Sequence, residues 1–358
     1  MPTFDIIKES KPKLSFRVSS VIGKFDLQSE HIVEQFQGSI DLPKNWSIGI
    51  IVGKSGTGKT TIAKQLFKDS YITDYKYKEH CILDDMPKEA SVTEITRTFN
   101  SVGFSSPPSW LKPYAVLSNG EKMRVNLARA ILENNPLIVF DEFTSVVDRN
   151  VAKIGSYAMQ KAIRKTKKQF IAVSCHYDIE DWLIPDWIFN TDTMTFQINE
   201  RQKKNRPNIK FSIYEAKNKS IWKMFAKYHY LSHTHNNAAH TYIATINDEI
   251  AGFISILHQP HPVAINLKKV HRLVILPDYQ GAGFGIRFLN EIGKYYKKNK
   301  YRYTITTSAP SLINALKKSN NWICNRFGRS KPQPDNTNKG GVGIITSANR
   351  ITANFEMK

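Results

Sequence analysis

The sequence has few cysteines and no long apolar run. These absences argue against a disulfide-rich protein and against a membrane-spanning one. Its 358 residues include three cysteines, Cys81, Cys175 and Cys324, which lie too far apart to form a disulfide framework or a metal knuckle. No apolar run reaches the roughly 18 residues that span a membrane, and the first residues show no signal-peptide pattern. We therefore expect a reducing, cytoplasmic location.

Acidic residues are scarce in the second half of the chain. Lys and Arg outnumber Asp and Glu by 51 to 31, which gives a formal net charge of +20. Residues 1–200 hold 25 basic and 24 acidic side chains, whereas residues 201–358 hold 26 and 7. An AT-rich genome would enrich lysine in both halves, but localised positive charge is typical of nucleic-acid binding. The sequence therefore predicts a nucleic-acid partner for the C-terminal part.

The chain is long enough for two domains, and its 41% hydrophobic content is that of a folded protein. Residues 201–209 form a polar, charged stretch that is typical of a linker. We predict one domain over residues 1–200 and a second over residues 210–358.

A glycine-rich segment at residues 53–60 reads GKSGTGKT and fits the pattern G-x-x-x-x-G-K-[ST]. It follows a β-branched run at residues 46–52 and precedes a predicted helix at residues 60–67. In such a loop, backbone N–H groups wrap phosphates, the lysine reaches the terminal phosphates and the hydroxyl holds Mg²⁺. The sequence therefore predicts a nucleotide site with contacts from Gly53, Ser55, Gly56, Gly58, Lys59, Thr60 and Thr61.

Two further apolar runs, at residues 137–140 and 170–174, alternate with predicted helices, which is typical of a mainly parallel α/β sheet. Motifs in this region resemble those of ABC-type ATPases in type and order. They are the glycine loop, the signature segment Leu117-Ser118-Asn119-Gly120-Glu121 with Arg124, the Walker B segment ending in Asp141-Glu142, the D-loop Ser145-Val146-Val147-Asp148, and the switch histidine His176.

The resemblance implies ATP as the ligand and assigns chemical roles around it. Thr60 and Asp141 would hold Mg²⁺. Glu142 would polarise the attacking water, and His176 would contact the γ-phosphate.

The signature segment carries two further implications. Ser118 and Gly120 would complete the ATP site of a second copy, so the resemblance implies a head-to-tail homodimer that closes on ATP. Asn119 replaces the usual glycine and Glu121 the usual glutamine, which predicts altered phosphate contacts and slow hydrolysis. Residues 61–116 are short and lack a clear Q-loop glutamine, the segment that normally contacts a membrane partner. We therefore expect a soluble ABC ATPase and not a transporter subunit.

The C-terminal half carries a second glycine loop, QGAGFG at residues 280–285, between a predicted strand at 272–276 and a predicted helix up to about 297. With a predicted hairpin at residues 241–256 and a strand at 303–307, it resembles motif A of the GNAT acyltransferases. The resemblance implies an α+β GNAT domain and acetyl-CoA, whose pyrophosphate backbone N–H groups would bind. The implied contacts are Gln280, Gly281, Gly283 and Gly285, and a glycine turn without a ligand is the alternative.

Acyl transfer to nitrogen requires an amine that is made neutral and positioned against a thioester, and a group able to protonate the leaving thiolate. His229 and Tyr230 are the catalytic candidates, and His271, which precedes the second glycine loop, is a further one. We interpret His233 and His235 as surface histidines, with metal binding as the alternative.

The segment Tyr228-His229-Tyr230 with the second glycine loop resembles the Mom-type branch of GNAT-like proteins, which modify adenine in phage DNA. The fused arrangement is similar to an ABC-type ATPase/predicted acetyltransferase family of prokaryotes and their viruses. We therefore predict an ATP-gated acyltransferase that modifies nucleic acid, with DNA ahead of RNA. Two alternatives stay open: an N-acetyltransferase of a protein or small-molecule amine, and an ATP-switched nucleic-acid-binding protein without catalysis.

Overall fold

The structure, a computed structural model, describes residues 3–10, 13–26, 32–72, 75–78, 80–199, 209–229, 234–261, 265–329 and 351–358. In chain order its strands are β1 (Thr3–Ser10), β2 (Ile32–Ser39), β3 (Ile48–Val52), β4 (Leu137–Phe140), β5 (Gln169–Ser174), β6 (Trp187–Asn190), β7 (Thr195–Ile198), β8 (Phe211–Glu215), β9 (His240–Ile246), β10 (Glu249–His258), β11 (Leu267–Ile275), β12 (Arg302–Thr307), β13 (Trp322–Arg329) and β14 (Ile351–Met357).

The α-helices, again in chain order, are α1 (Phe16–Phe25), α2 (Lys59–Leu66), α3 (Val92–Ser101), α4 (Pro107–Trp110), α5 (Asn119–Leu132), α6 (Arg149–Ile163), α7 (Ile179–Leu183), α8 (Trp222–Ala226), α9 (Phe284–Lys298) and α10 (Pro310–Lys317). None of these described helices combines the length and the apolar character that crossing a bilayer requires.

The chain separates into two compact units. The first comprises Met1–Lys76, Glu133–Ala152 and Met159–Arg206, and the second comprises Tyr77–Leu132, Lys153–Ala158 and Pro207–Lys358. Residues 77–132 therefore group with the C-terminal part, although they lie in the first half of the sequence. Of the predicted linker at residues 201–209 only Ile209 is described, so that boundary stays a prediction.

The first unit is built on a five-stranded sheet of order β4-β5-β3-β6-β7. The first four strands are parallel and β7 is antiparallel to β6, so the predicted mainly parallel sheet is confirmed. Strand β3 is apolar and buried along its whole length, as in strands covered on both faces. The strand order places the carboxyl ends of β4, β5 and β3 side by side. Asp141-Glu142, His176 and the first glycine loop follow these three ends.

Residues 77–132 of the second unit are mainly helical. Helix α3 begins with a capping box, in which the N–H of Glu94 donates to Ser91 Oγ at 3.3 Å and the N–H of Ser91 donates to Glu94 Oε2 at 2.9 Å. Its buried Phe99 packs edge-on against Phe104, and α3 contacts α5. This packing fixes α5, whose first turn carries the signature residues.

The rest of the second unit is a seven-stranded sheet of order β13-β14-β12-β11-β10-β9-β8, antiparallel except between β11 and β12. The predicted hairpin is present as β9 and β10. Asn247 and Asp248 have φ values of +50° and +69°, as a tight two-residue hairpin turn requires. Phe288 of α9 packs in one core with Tyr303 and Phe355 of the sheet, and all three side chains are fully buried.

Close packing in the first unit predicts the effect of one added methyl group. A Cβ at Gly49 would overlap the indole ring of Trp187, which is fully buried. We expect Gly49→Ala to lower the free energy of unfolding by about 1–3 kcal/mol, the usual cost of overpacking. In Gly23→Ala, the matched control, the added Cβ meets nothing within 4 Å and alanine favours helix α1. Thermal unfolding of both variants measures the difference, and equal midpoints would contradict the packing argument.

Candidate nucleotide and coenzyme sites

The first glycine loop leads directly into helix α2. Gly56 and Gly58 have φ values of +87° and +82°, which residues other than glycine rarely adopt. A Cβ at Gly53 would lie 2.8 Å from Thr57 Oγ1 and 3.0 Å from Asp192 Oδ1, so this position has no room for a side chain. No side chain caps α2 at Gly58, and its first N–H groups are therefore available to a phosphate. This geometry fits a polyphosphate.

The side chains predicted to hold the phosphates and Mg²⁺ lie beside this loop. Thr60 Oγ1 donates to Asp141 Oδ2 at 2.8 Å, and the hydroxyl of Tyr71 donates to the same oxygen. Burial, followed by the bond to Asp141, raises the pKa of Tyr71. Lys59 Nζ donates to the carbonyl oxygen of Lys54 at 2.5 Å. The hydroxyl and carboxylate oxygens at this point are ligands that Mg²⁺ prefers. Ser55 is exposed and Thr61 half-buried in the same segment.

The segment after β4 has an unusual backbone. Glu142 has a φ of +51° and Thr144 a φ of +68°, although neither is a glycine. The N–H of Phe143 donates to the carbonyl oxygen of Val173 at 2.9 Å, which ties this turn to the end of β5. Backbone strain of this kind persists where the surrounding structure enforces it, often at functional sites. The exposed Glu142 therefore occupies a position at the carboxyl edge of the sheet, and half-buried His176 lies just beyond the neighbouring strand.

Asp192 is a residue of this site that sequence reasoning missed. Its Oδ1 accepts a hydrogen bond from the N–H of Lys54 at 2.8 Å, and its Oδ2 accepts one from the Tyr177 hydroxyl. The bond from Tyr177 lowers the pKa of Asp192, and the same bond raises the pKa of Tyr177 to about 12. Asp192 thus fixes the glycine loop from a position 138 residues away in sequence, for which no local motif gives a signal.

The signature segment of the second unit forms its own helix cap. The N–H of Ser118 donates to Glu121 Oε2 at 3.1 Å, and the N–H of Glu121 donates to Ser118 Oγ at 3.3 Å. The buried hydroxyl of Ser109 donates to Glu121 Oε1 at 2.9 Å. The unusual glutamate at this position therefore has a structural reason, because both carboxylate oxygens accept hydrogen bonds. Ser118 and Asn119 are exposed, and Gly120 is buried.

The second glycine loop leads into α9. Gly283 has a φ of +93°, and no side chain caps the helix there. A Cβ at Gly283 would meet nothing within 4 Å, so there is open space at Gly283, where this 15-residue helix begins. Gly285 lies in the first turn and is half-buried. This geometry fits the pyrophosphate of a coenzyme.

Gln280 and Gly281 of this second glycine loop, residues 280–285 and termed the coenzyme loop below, contact the helical segment at residues 77–132. The N–H of Ser105 donates to Gln280 Oε1 at 2.8 Å, and Gln280 Nε2 donates to the carbonyl oxygen of Ile275 at 2.7 Å. Gly281 has a φ of +85°, and a Cβ there would lie 2.6 Å from the Cα of Gly103. The side chain of Gln280 thus holds the loop against the helical segment, and its assignment to the coenzyme stays a prediction.

Arg124 supplies a third contact between the helical segment and the second glycine loop. Its guanidinium is fully buried, donates to the carbonyl oxygen of Asp278 at 2.7 Å and lies 3.6 Å from Asp278 Oδ1. Burial lowers the pKa of Arg124, and the carboxylate of Asp278 opposes this shift. The signature helix and the coenzyme loop are therefore joined by a buried, charge-assisted contact.

Strands β11 and β12 pair along only part of their length. The parallel register runs from Leu267 opposite Arg302 to Val270 opposite Ile305, whereas β11 remains paired with β10 as far as Ile275. The two parallel strands therefore separate from His271 onwards, on the side of the sheet that leads to the coenzyme loop.

A histidine cluster lies at this separation. The ring of His235 is 5.7 Å from that of Trp222, 5.6 Å from that of Phe253 and 5.8 Å from that of His271, measured between centroids. Both ring nitrogens of His235 are buried without a hydrogen-bond partner among the described residues. The interpretation of His235 as a surface histidine is therefore wrong, because aromatic rings of the folded domain cover it.

Both histidines of this cluster favour the neutral form. Burial is the first cause that lowers the pKa of His235, and it lowers the pKa of His271 to about 4, with Arg272 as the next cause. The N–H of Asn236 points at His271 Nε2 at 3.4 Å, which requires an unprotonated nitrogen. The cluster therefore offers neutral imidazoles near pH 7.

His229 is buried, and its ring lies 5.8 Å from Trp222, so it belongs to the same aromatic region. Tyr230 and His233 fall outside the described residues. Within the described ranges no group of three His, Cys, Asp or Glu side chains could hold a metal ion.

Two protein-family models match the chain. A model described as "ABC transporter" matches residues 64–145, and one described as "Acetyltransferase (GNAT) domain" matches residues 211–316. The first match covers the signature segment and Asp141-Glu142, and the second covers the histidine cluster and the coenzyme loop. The chain thus combines an ABC-type ATPase fold with a GNAT acetyltransferase fold, and these domains point to an ATPase and an acyltransferase.

Curated proteins are similar to part of the chain. The ATP-dependent lipid A-core flippase of Acinetobacter baylyi is 22% identical over 195 residues, which cover 41% of this chain and 34% of that protein. The energy-dependent translational throttle protein EttA of Mycobacterium tuberculosis is 28% identical over 185 residues, which cover 41% of this chain and 33% of that protein. The chain therefore spans about a third of the length of these relatives.

Solved structures are similar at low scores. A dimeric bacterial ABC transporter cassette is 14% identical with a TM-score of 0.35, covering 44% of this chain and 87% of that chain. An IAA acetyltransferase from Bacillus cereus is 15% identical with a TM-score of 0.32, covering 41% of this chain and 99% of that chain.

The histidine cluster predicts a pH dependence of stability. The pKa of His271 is about 4 in the folded protein, against its usual 6.5. Between these values the unfolded chain binds the additional proton, so the free energy of unfolding rises with pH across this window. We expect His271→Asn to flatten the rise, measured by urea unfolding at successive pH values. His258→Asn, at an exposed histidine of β10, is the control and keeps the wild-type slope. An unchanged slope in His271→Asn would overturn this account.

Proposed function

Because the chain joins an ABC-type ATPase domain to a GNAT acetyltransferase domain, we propose that it is an ATP-controlled N-acyltransferase. ATP and Mg²⁺ bind at the first glycine loop, acetyl-CoA binds at the second, and the acyl group passes to an amine nitrogen. The acceptor that we propose is a nucleic acid, with a DNA base amine ahead of RNA.

One observation carries the proposal of ATP control, namely the contact between the signature segment and the coenzyme loop within the second unit. Ser118 begins helix α5, and Arg124 on the same helix holds Asp278. Ser105 and Gly103 hold the residues that follow, Gln280 and Gly281. If the signature segment engages ATP on a second copy, a shift of α5 reaches the coenzyme loop through these contacts. ATP-driven dimerisation then changes the affinity for acyl-CoA.

The ATPase chemistry that we propose follows the carboxyl edge of the first sheet. Thr60 and Asp141 hold Mg²⁺, and Lys59 neutralises the phosphates. Glu142 is the base that orients and polarises the attacking water, and His176 contacts the terminal phosphate. The strained backbone at Glu142 supports this role, because it presents the carboxylate at the edge beside the glycine loop.

The acyl-transfer chemistry uses the separation of β11 and β12. Acyl-CoA supplies a thioester when it is bound, and the uncapped start of α9 at Gly283 receives its pyrophosphate. The new amide bond forms as the C–S bond of the thioester breaks, and the proton that the amine loses balances the one that the leaving thiolate takes up. The neutral rings of His271 and His235 line the region where we place the acceptor, and buried His229 helps to shape the same region. Tyr230 remains a proposed catalytic residue on the strength of its sequence position.

The charge of the C-terminal part supports a polyanionic acceptor. Residues 201–358 hold 26 basic and 7 acidic side chains. Amine acceptors on a protein or a small molecule are equally consistent with the two domains.

The coupling of the two sites has a measurable signature. We expect ATP to tighten acetyl-CoA binding about fivefold or more, and acetyl-CoA to tighten ATP binding by the same factor, because linkage is reciprocal. Calorimetric titrations measure both affinities in the Glu142→Gln variant. We expect this variant to bind ATP but to hydrolyse it about 10²-fold or more slowly. Gln280→Leu removes the hydrogen bond from the N–H of Ser105 across the junction, together with the bond to Ile275 that orients the Gln280 side chain. It brings the factor towards one, whereas exposed Gln197→Leu preserves it.

Each failure in this experiment has a separate meaning. A chain that binds ATP but no acetyl-CoA is not an acyltransferase. Two ligands that bind with independent affinities remove ATP control and leave the two activities unlinked.

The acceptor class can be identified by group transfer. We expect radiolabelled acetyl groups to pass from acetyl-CoA to DNA in the presence of ATP, and the yield to fall steeply with salt because phosphate contacts release counterions. RNA, a lysine-rich protein and a polyamine are parallel acceptors in the same assay. Label that appears on the protein or the polyamine alone would replace the nucleic-acid acceptor with an amine of that class.

A further inference from the structure

A cavity of about 360 Å³ opens within the second unit, where the signature segment meets the GNAT domain. Ser118 and Glu121 line it on the ATPase-derived side, and the opposite wall includes Lys223, Lys227, Tyr228 and Asp278. The cavity therefore contains Ser118, which the ABC resemblance assigns to the ATP of a second copy. It also contains Lys223 and Lys227, to which the resemblance assigns no role.

The acidic groups of this cavity already have partners. Glu121 accepts hydrogen bonds from Ser109 and from the N–H of Ser118. Asp278 lies opposite the buried guanidinium of Arg124, at 3.6 Å. Lys223 and Lys227 are both exposed, and within the described ranges neither makes an ion pair. Lys223, Lys227 and the adjacent Arg124 together exceed the two carboxylates of Glu121 and Asp278 by one formal positive charge.

The helix that carries the two lysines packs against the sheet of the second unit. Lys223 lies in α8, and Lys227 is the residue that caps the C-terminus of this helix. Because they are four residues apart, the two side chains lie on the same side of the helix. The opposite face carries Trp222 and Phe225, which are buried against Phe253 and Val274 of the sheet. The ammonium group of Lys227 also lies 5.0 Å from the ring centre of Tyr228. The packed aromatic residues of α8 thus place the backbone of both lysines at the wall of the cavity.

We propose that this cavity receives the terminal phosphates of ATP carried by a second copy of the chain, with Lys223 and Lys227 as phosphate ligands. The ligand class is a nucleoside triphosphate, and the GNAT domain thereby supplies part of a nucleotide site. Glu121 adds negative charge where glutamine is usual in the ABC resemblance. Two lysines in the same cavity offset that charge. The inference rests on the ATP-dependent dimer of the proposed function.

The test uses the full chain in the Glu142→Gln background, with sedimentation velocity at several protein concentrations with and without ATP. We expect the double change Lys223→Ala and Lys227→Ala to weaken ATP-dependent dimerisation about tenfold or more. The affinity of the monomer for ATP stays unchanged, because the lysines act on the nucleotide of the other copy. Lys223→Arg with Lys227→Arg keeps the charge and restores the dimer. Lys217→Ala with Lys298→Ala, at exposed lysines outside the cavity, leaves dimerisation unaltered.

Three results would overturn the inference in distinguishable ways. If the parent chain binds ATP but stays monomeric, the head-to-tail dimer fails and this site fails with it. If the parent dimerises and the double alanine variant dimerises equally well, the dimer stands and the lysines have no part in it. If the alanine variant dimerises normally but binds duplex DNA more weakly, measured by fluorescence anisotropy, the lysines serve nucleic-acid phosphates instead.

Discussion

The buried guanidinium of Arg124 is the constraint on which the second unit depends. A charge without solvent access is costly unless a partner compensates it, and Asp278 provides both a carbonyl oxygen at 2.7 Å and a carboxylate oxygen at 3.6 Å. The Nε and Nη1 atoms of Arg124 have no hydrogen-bond partner among the described residues, and the carboxylates of Asp278 and Glu121 both raise the pKa of Arg124 against the effect of burial. The Asp278 side chain is 44% exposed, so solvent screens its carboxylate and the carbonyl oxygen is the closer partner of the guanidinium. The helical segment and the coenzyme loop therefore keep their mutual placement.

This placement makes two sequence motifs into neighbours. Helix α5 is a single element of 14 residues, with the signature residues in its first turn and Arg124 one turn later. Gly103 and Gly281 approach so closely that neither position has room for a side chain. Close-packed interiors resist compression, so the elements on the two sides of such a junction move together as a rigid body. We therefore expect a shift of the signature helix to move the start of the coenzyme loop as well.

At both candidate sites, regular helices and strands carry local features that lower the stability of the fold. The first glycine loop and the start of α9 expose helix N–H groups without a side-chain cap, Glu142 has a positive φ, and His235 has two buried ring nitrogens without partners. Each costs stability in isolation, and such costs persist where a ligand or a reaction compensates for them. The same features lie at the carboxyl edge of one sheet and at the separation of β11 and β12 in the other. These are positions where several elements end and backbone groups are left for a ligand.

The sequence by itself determined the local elements, because strand burial, glycine turns and helix starts depend on residues close together in the chain. It predicted β3, β4 and β5, the β9–β10 hairpin, α9 and both glycine loops, and it identified Asp141, Glu142 and His176 after the strands of one sheet. Only the tertiary structure decided that Asp192 fixes Lys54 and that Gln280 holds Ser105, across separations of 138 and 175 residues. It also placed His235 among aromatic rings and the signature segment beside the GNAT domain. No periodicity or motif encodes such pairings, since they arise when distant segments share one interior.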